Sequence, residues 1–357
     1  MPQGQYVTRT RGAVDSEESR ESKALSFALP CNAIVLHEKD LRDETEKKSL
    51  ASWIFLVVFF TVVLWCFPHA WAAQSANSKA KIRVFVSILP QAYFVERVGG
   101  DYVAVSVMVG PGHSPATYEP MPMQMAGLGE AKLYFAIGVP FEKVWISRIS
   151  KTNPELRIIE TNRGIELLPM TAHDHHGGKG QHGHDKGEAH HHLAEGIKDP
   201  HIWLSLRLVK IQARNICNAL IEEDPVHRAY YDENLESFHR DLDSLDSEIT
   251  AMLTGLKSRT FMILHPALGY FAHDYGLEQI PIEIEGKQPS ARALARLIQQ
   301  AKDSGIRVIL VQKQFSSNSA EAVARAIGGK VARIDPLSKA YLENMRKIAE
   351  TFSRVLK

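Results

Sequence analysis

The chain predicts an α/β fold: two (β/α) lobes with parallel sheets, joined by a long bridging α-helix and meeting at a cleft. Three observations predict it. Two sets of short, β-branched-rich runs each alternate with helical stretches, an unbroken helical period separates the sets, and an export-type segment precedes both. At 357 residues there is room for two domains, each with its own core.

Residues 1–48 are polar and charged, show no sustained apolar period, and read as a disordered extension. They end in Glu44-Thr-Glu-Lys-Lys48, and an apolar run from Trp53 to Phe67 follows. The run closes at the small-residue site Ala70-Trp71-Ala72, so 49–73 read as a secretory signal peptide. An uncleaved anchor is the alternative, although the run falls short of the about 20 apolar residues that span a bilayer. Export places the mature chain in the periplasm. Cys31 and Cys66 precede the cleavage point, so Cys217 stands alone in the mature chain and no Cys-based zinc site can form.

The first lobe is placed at 80–224. Its strands are Ile82–Leu89, Val103–Val109, Ala131–Ile137 and Leu156–Glu160, near-continuous apolar runs that suit parallel strands covered on both faces. A His/Gly/Lys segment at 172–192 interrupts it. The bridging helix is placed at 225–257. Pro225 suits a helix start, and Tyr230, Leu235, Phe238, Leu242, Leu245, Ile249 and Leu253 recur at threes and fours. The second lobe, 258–357, carries strands at Phe261–Leu264, Ile280–Ile284, Ile306–Val311 and Val331–Ile334. Its helices fall at Ala291–Ser304, Ser319–Ile327 and Lys339–Leu356.

Ligands of open parallel sheets gather beyond the carboxyl ends of the strands. Four segments there or nearby hold metal-capable side chains: Pro111-Gly-His113, Asp199-Pro-His201, Leu264-His265 and Asp335-Pro336. Imidazole nitrogens with one carboxylate form a borderline donor set that suits Zn²⁺ and tolerates neighbouring transition metals such as Mn²⁺. A lone loop histidine is more often a hydrogen-bonded residue than a ligand; what singles these out is that two lobes would turn them towards one cleft. The segment 172–192 offers His173, His175, His176, His182, His184, His190, His191 and His192. It cannot pack a core, but it can present many exchangeable imidazoles. It reads as a low-affinity collector or a sensor of metal abundance, or else as a solvated loop with incidental metal affinity.

The chain resembles the zinc and manganese solute-binding proteins of ABC importers over about 80–357. The resemblance is carried by Ser87-Ile-Leu-Pro90, Pro115-Ala-Thr-Tyr-Glu-Pro120, Asp199-Pro-His-Ile-Trp-Leu-Ser205, His265-Pro-Ala-Leu-Gly-Tyr-Phe271, Glu285-Gly-Lys-Gln-Pro-Ser290 and Asp335-Pro-Leu337. It implies two lobes bridged by a rigid helix. It further implies a metal held by His201, His265 and Asp335, and a permease and its ATPase as partners of a monomeric binding protein. Histidine rather than a carboxylate at 265, and the His-rich loop, both resemble the zinc members. The pattern's first histidine falls at Ala116, so the usual ligand of the first lobe is missing. His113 on the same loop is a substitute; alternatively it is a surface residue and water completes the shell, with Glu119 a further possible donor. Trp203 and Tyr270 read as lobe packing, and Glu285 as a surface or hinge residue or a partner to a ligating histidine.

Other classes fare worse. A formal net charge of +1 argues against a general nucleic-acid binder, which needs a basic surface. A zinc hydrolase would need a general base beside the metal, yet no His-Glu-x-x-His helix and no Gly-x-Ser-x-Gly elbow is present. A surface adhesin or metal chaperone on the same fold remains an alternative to uptake.

Overall fold

Parallel pairing is what near-continuous apolar strands permit, and every strand pair in the computed structural model is parallel. The structure describes residues 53–59, 81–170, 197–283 and 288–357. The extension 1–48, most of the signal segment 49–73, the His-rich loop 172–192 and Glu285 lie outside the described residues. Residues 53–59 belong to a separate unit and form a short helical run with exposed side chains. No helix among the described residues is long and apolar enough to cross a membrane.

The first sheet has the order β2-β1-β3-β4, built from β1 (Ile82–Ile88), β2 (Val103–Val109), β3 (Leu133–Ala136) and β4 (Arg157–Glu160). Helices α1 (Leu89–Gly99), α2 (Pro122–Leu128) and α3 (Pro140–Thr152) connect them, each with a proline in its first turn, where the missing N–H costs nothing. Helix α4 (Leu206–Glu223) follows, its N-terminus capped by Ser205, whose side chain accepts from the Leu208 N–H. The second sheet repeats the order as β6-β5-β7-β8, from β5 (Thr260–Ile263), β6 (Glu278–Pro281), β7 (Val308–Gln312) and β8 (Lys330–Ile334).

Most element limits shift by one or two residues from the sequence reading, and two shift further. Strand β6 begins before Ile280 and stops at Pro281. Among the described residues it is an edge strand paired only with β5, so polar Glu278 and Gln279 and a proline lacking an N–H are all accommodated. The bridging helix opens with a 3₁₀ turn at Pro225–His227, continues as α5 (Arg228–Met252), and ends before 257, with Gly255 at φ 72°. At 1.5 Å per residue α5 is about 38 Å long. Its buried stripe is Tyr231, Leu235, Phe238, Leu242, Leu245 and Ile249; Tyr231 takes the place expected for Tyr230.

That stripe joins the lobes. One apolar core runs from the first sheet through α1, α4 and α5 to the C-terminal helix α9 (Tyr341–Leu356) and one face of the second sheet. A smaller core lies between the second sheet and α7 (Ala291–Asp303) and α8 (Asn318–Ala326). Ion pairs also flank α5: Arg97–Asp241 at 2.6 Å, Lys210–Asp243 at 2.7 Å, and Arg346–Glu248 at 2.7 Å. Exposed pairs of this kind contribute at most about 1 kcal/mol each. The shared apolar core is therefore what holds the lobes in register.

Candidate metal site

In each sheet the chain first adds a strand on one side and then crosses to the other. Each therefore has a switch point, at β1/β3 and at β5/β7, where a crevice opens beyond the strand ends. The two crevices contribute to a single cavity of about 80 Å³. The first lobe supplies Ser114, Pro115 and Ala116 after β2, and Val139 and Pro140 after β3. The second supplies His265 and Ala267 after β5, Gln314 and Phe315 after β7, and Pro336 and Leu337 after β8. His201 and Trp203, from the segment leading into α4, complete the wall.

His201 and His265 come together with ring centroids 5.3 Å apart and planes at 74°. Two imidazoles sharing a tetrahedral ion at Zn–N distances of about 2.0–2.1 Å would have ring centres about 5.2 Å apart, each centre lying roughly 1.1 Å behind its nitrogen. Each ring also has a buried carboxylate behind it. Asp199 Oδ1 lies 2.6 Å from His201 Nδ1 and accepts from the His201 backbone N–H at 2.9 Å. A proton held on Nδ1 leaves the Nε2 lone pair as the donor. Across the cavity His265 stacks on Phe315, centroids 4.9 Å apart, and its Nδ1 lies 3.6 Å from Glu283 Oε2. At that distance the two groups stand in contact without a hydrogen bond, and both atoms are buried without a hydrogen-bond partner. Burial, aided by His201, holds the His265 pKa below the ordinary histidine range, against the pull of Glu283. Its imidazole is thus neutral at neutral pH, the form that donates to a metal.

The segment bearing His201 is fixed across the lobe boundary. The Trp203 indole N–H donates to the Pro336 carbonyl at 2.8 Å, Tyr341 OH donates to the Trp203 carbonyl at 2.7 Å, and Tyr270 OH donates to the Asp199 carbonyl at 2.8 Å. Trp203 and Tyr270 therefore pack and tie the lobes, and Trp203 also lines the cavity. On the opposite wall the Ile137–Pro140 turn is held by the buried Glu142 carboxyl. It accepts from the Ile137 N–H at 2.9 Å and the Gly138 N–H at 2.7 Å, and from Ser87 Oγ. Burial pushes the Glu142 pKa up, while these donors hold it down.

The remaining sequence candidates lie elsewhere. His113 is exposed, its ring against Tyr118 with centroids 5.7 Å apart, and it does not line the cavity; nor does Glu119. Ala116 does line it, so the position where the resemblance expects a histidine faces the cavity without a donor. Asp335 stands just behind the wall: Oδ1 accepts from Gln314 Nε2 and from the Leu337 N–H, each at 3.1 Å, and Oδ2 is 3.4 Å from Lys313 Nζ. Among the described residues no group of three or more His, Cys, Asp or Glu is gathered as for a metal ion. Sequence reasoning missed Glu283 and Gln314, both ordinary polar residues just past strand ends.

Twin parallel sheets of one strand order, welded by a long helix and sharing a histidine-bearing cavity at their switch points, define a bilobed solute-binding protein. The chain belongs to the family described as zinc-uptake complex component A, periplasmic, whose profile matches residues 84–355. This is a family of periplasmic transport components, not of enzymes. The chain is 29% identical to the high-affinity zinc uptake system protein ZnuA of Bacillus subtilis, a match covering 76% of this chain and 84% of that protein. It is 28% identical to the zinc-binding protein AdcA of Streptococcus pyogenes, covering 86% of this chain but only 61% of AdcA. Among solved structures it is similar to a zinc-bound deletion mutant of ZnuA, at 38% identity and a TM-score of 0.69, covering 78% of this chain and 98% of that one.

Proposed function

We propose that this chain is the periplasmic substrate-binding component of a metal-ion ABC importer, capturing Zn²⁺ between its lobes and delivering it to the membrane permease that the partner ATPase drives. The observation that carries the reading is the His201–His265 pair, one ring from each side of the lobe boundary, at the 5.3 Å spacing a shared tetrahedral ion requires. Asp199 and Glu283 support it: Asp199 orients the His201 ring, and the two buried carboxylates offset the charge of a divalent cargo. The zinc-bound relative at 38% identity favours zinc among the borderline metals. The continuous core through α5 favours loop adjustment around the ion over wide lobe closure. The sequence offers His113, water and, by the resemblance, Asp335 to complete the shell, and the His-rich loop is a candidate collector.

Competitive titration of the exported chain with Zn²⁺ and Mn²⁺ against a chromogenic chelator tests this reading. One tight Zn²⁺ equivalent, abolished by His201→Ala and by His265→Ala, is expected. Tight binding that survives both substitutions would refute it.

A further inference from the structure

Two imidazole donors do not make a shell, and a residue of the cavity wall carries a third atom with no hydrogen-bond partner. Gln314 lines the cavity beside His265 and Phe315. Its Oε1 is buried and has no hydrogen-bond partner among the described residues. A buried, unpartnered acceptor is costly, about 1–3 kcal/mol, unless something occupies it. The amide's orientation is decided by chemistry. Its other end meets Asp335 Oδ1 at 3.1 Å, and a carboxylate can only accept, so the NH₂ faces Asp335 and the carbonyl oxygen faces away.

Asp335 is correspondingly occupied. Its Oδ1 takes the Gln314 amide and the Leu337 N–H, and its Oδ2 faces Lys313. Using it as a ligand would mean breaking those contacts, whereas the oxygen of Gln314, a residue of the cavity wall, has no hydrogen bond to give up. We infer that Gln314 gives its side-chain oxygen to the captured cation, and that Asp335 is a positioning residue that aims the amide rather than a ligand. This rests on the reading of His201 and His265 as the metal-binding pair.

The charge balance agrees. Two imidazoles and an amide oxygen are all neutral, so the shell itself cancels none of a divalent charge. Asp199 and Glu283, with side chains 4% and 8% exposed, stand directly behind the two rings and supply two negative charges. A buried divalent ion needs such compensation nearby. An amide oxygen is also a harder donor than imidazole, so this shell commits less strongly to zinc than three imidazoles would.

The test uses the full chain, with Co²⁺ as spectroscopic probe below one equivalent and Zn²⁺ affinity by chelator competition. Gln314→Ala is expected to weaken Zn²⁺ at least about tenfold and to change the Co²⁺ d–d bands, since a donor leaves the inner shell. In an Asp335→Asn background, whose amide can donate to the new carboxylate, Gln314→Glu restores an oxygen and is expected to recover most of the affinity that Gln314→Ala loses. Asp335→Asn keeps an acceptor for the amide and is expected to stay within about threefold, with unchanged bands. The inference is overturned if Gln314→Ala leaves affinity and spectrum unchanged, or if Asp335→Asn moves both as far as Gln314→Ala does. Should His201→Ala and His265→Ala also leave tight binding intact, the underlying metal-site reading fails as well. Failure confined to Gln314 leaves that reading standing.

Discussion

Asp199 gives the sharpest quantitative prediction. Its carboxylate makes two contacts with the same residue: 2.6 Å to the His201 ring nitrogen and 2.9 Å from the His201 backbone N–H. With the Asp199 side chain only 4% exposed, these are charge-assisted bonds in a dry setting, worth about 1.5–3 kcal/mol. Their work is to hold the proton on Nδ1 and the Nε2 lone pair towards the cavity. Asp199→Asn keeps the shape and removes the charge; Asp199→Ala removes both. Losing an outer partner of a ligating histidine weakens metal binding by about 10–100-fold, or roughly 1.4–2.8 kcal/mol. We expect asparagine near the lower end and alanine near the upper. Chelator competition at fixed pH reads this directly, and a thermal melt of the metal-free protein separates it from unfolding. If Asp199→Ala folds normally and binds Zn²⁺ as tightly as the parent, the Nδ1 contact does not orient a donor and the reasoning fails.

Further predictions follow from particular contacts. A methyl at Gly269 would sit 2.6 Å from Asp199 Oδ2, so Gly269→Ala, ordinarily helpful in a helix, should here lower both stability and Zn²⁺ affinity; a stabilised variant would contradict the geometry. Trp203→Phe leaves the Pro336 carbonyl without its donor, costing about 1–3 kcal/mol, or roughly 2–12 °C in melting temperature; calorimetry of the metal-free protein is the check. Burial keeps the His265 pKa below its usual 6.5, so the unfolded chain takes up that proton first. Stability should therefore fall as pH drops below 6.5 towards the folded value, and His265→Asn should flatten that part of the curve; identical pH profiles would refute the sign. Removing 172–192 should lower the number of weakly bound Zn²⁺ ions and leave the tight equivalent unchanged in competition.

Most of the architecture was legible because burial on both faces writes interior parallel strands as apolar runs, as in the run read at Ile82–Leu89, which the structure ends one residue earlier, at Ile88. Legibility failed at the edge. Strand β6 starts with Glu278 and Gln279, which an interior strand would reject, and its end was placed past Pro281. The helix was legible from its period, but one position was misread at Tyr230, because adjacent tyrosines fit a 3.6-residue period almost equally well. Within the site, His201 and His265 stood out by residue type at segments facing the predicted cleft. Glu283 did not stand out among the chain's 41 acidic residues, and a glutamine does not signal a ligand; the distinction of both is burial without a hydrogen-bond partner, a property only the folded chain has.

The most direct measurement is a crystal structure of the zinc-loaded chain with anomalous data at the zinc edge. One strong peak is expected within about 2.0–2.1 Å of Nε2 of both His201 and His265. A tight zinc peak elsewhere, with those two nitrogens free, would contradict it.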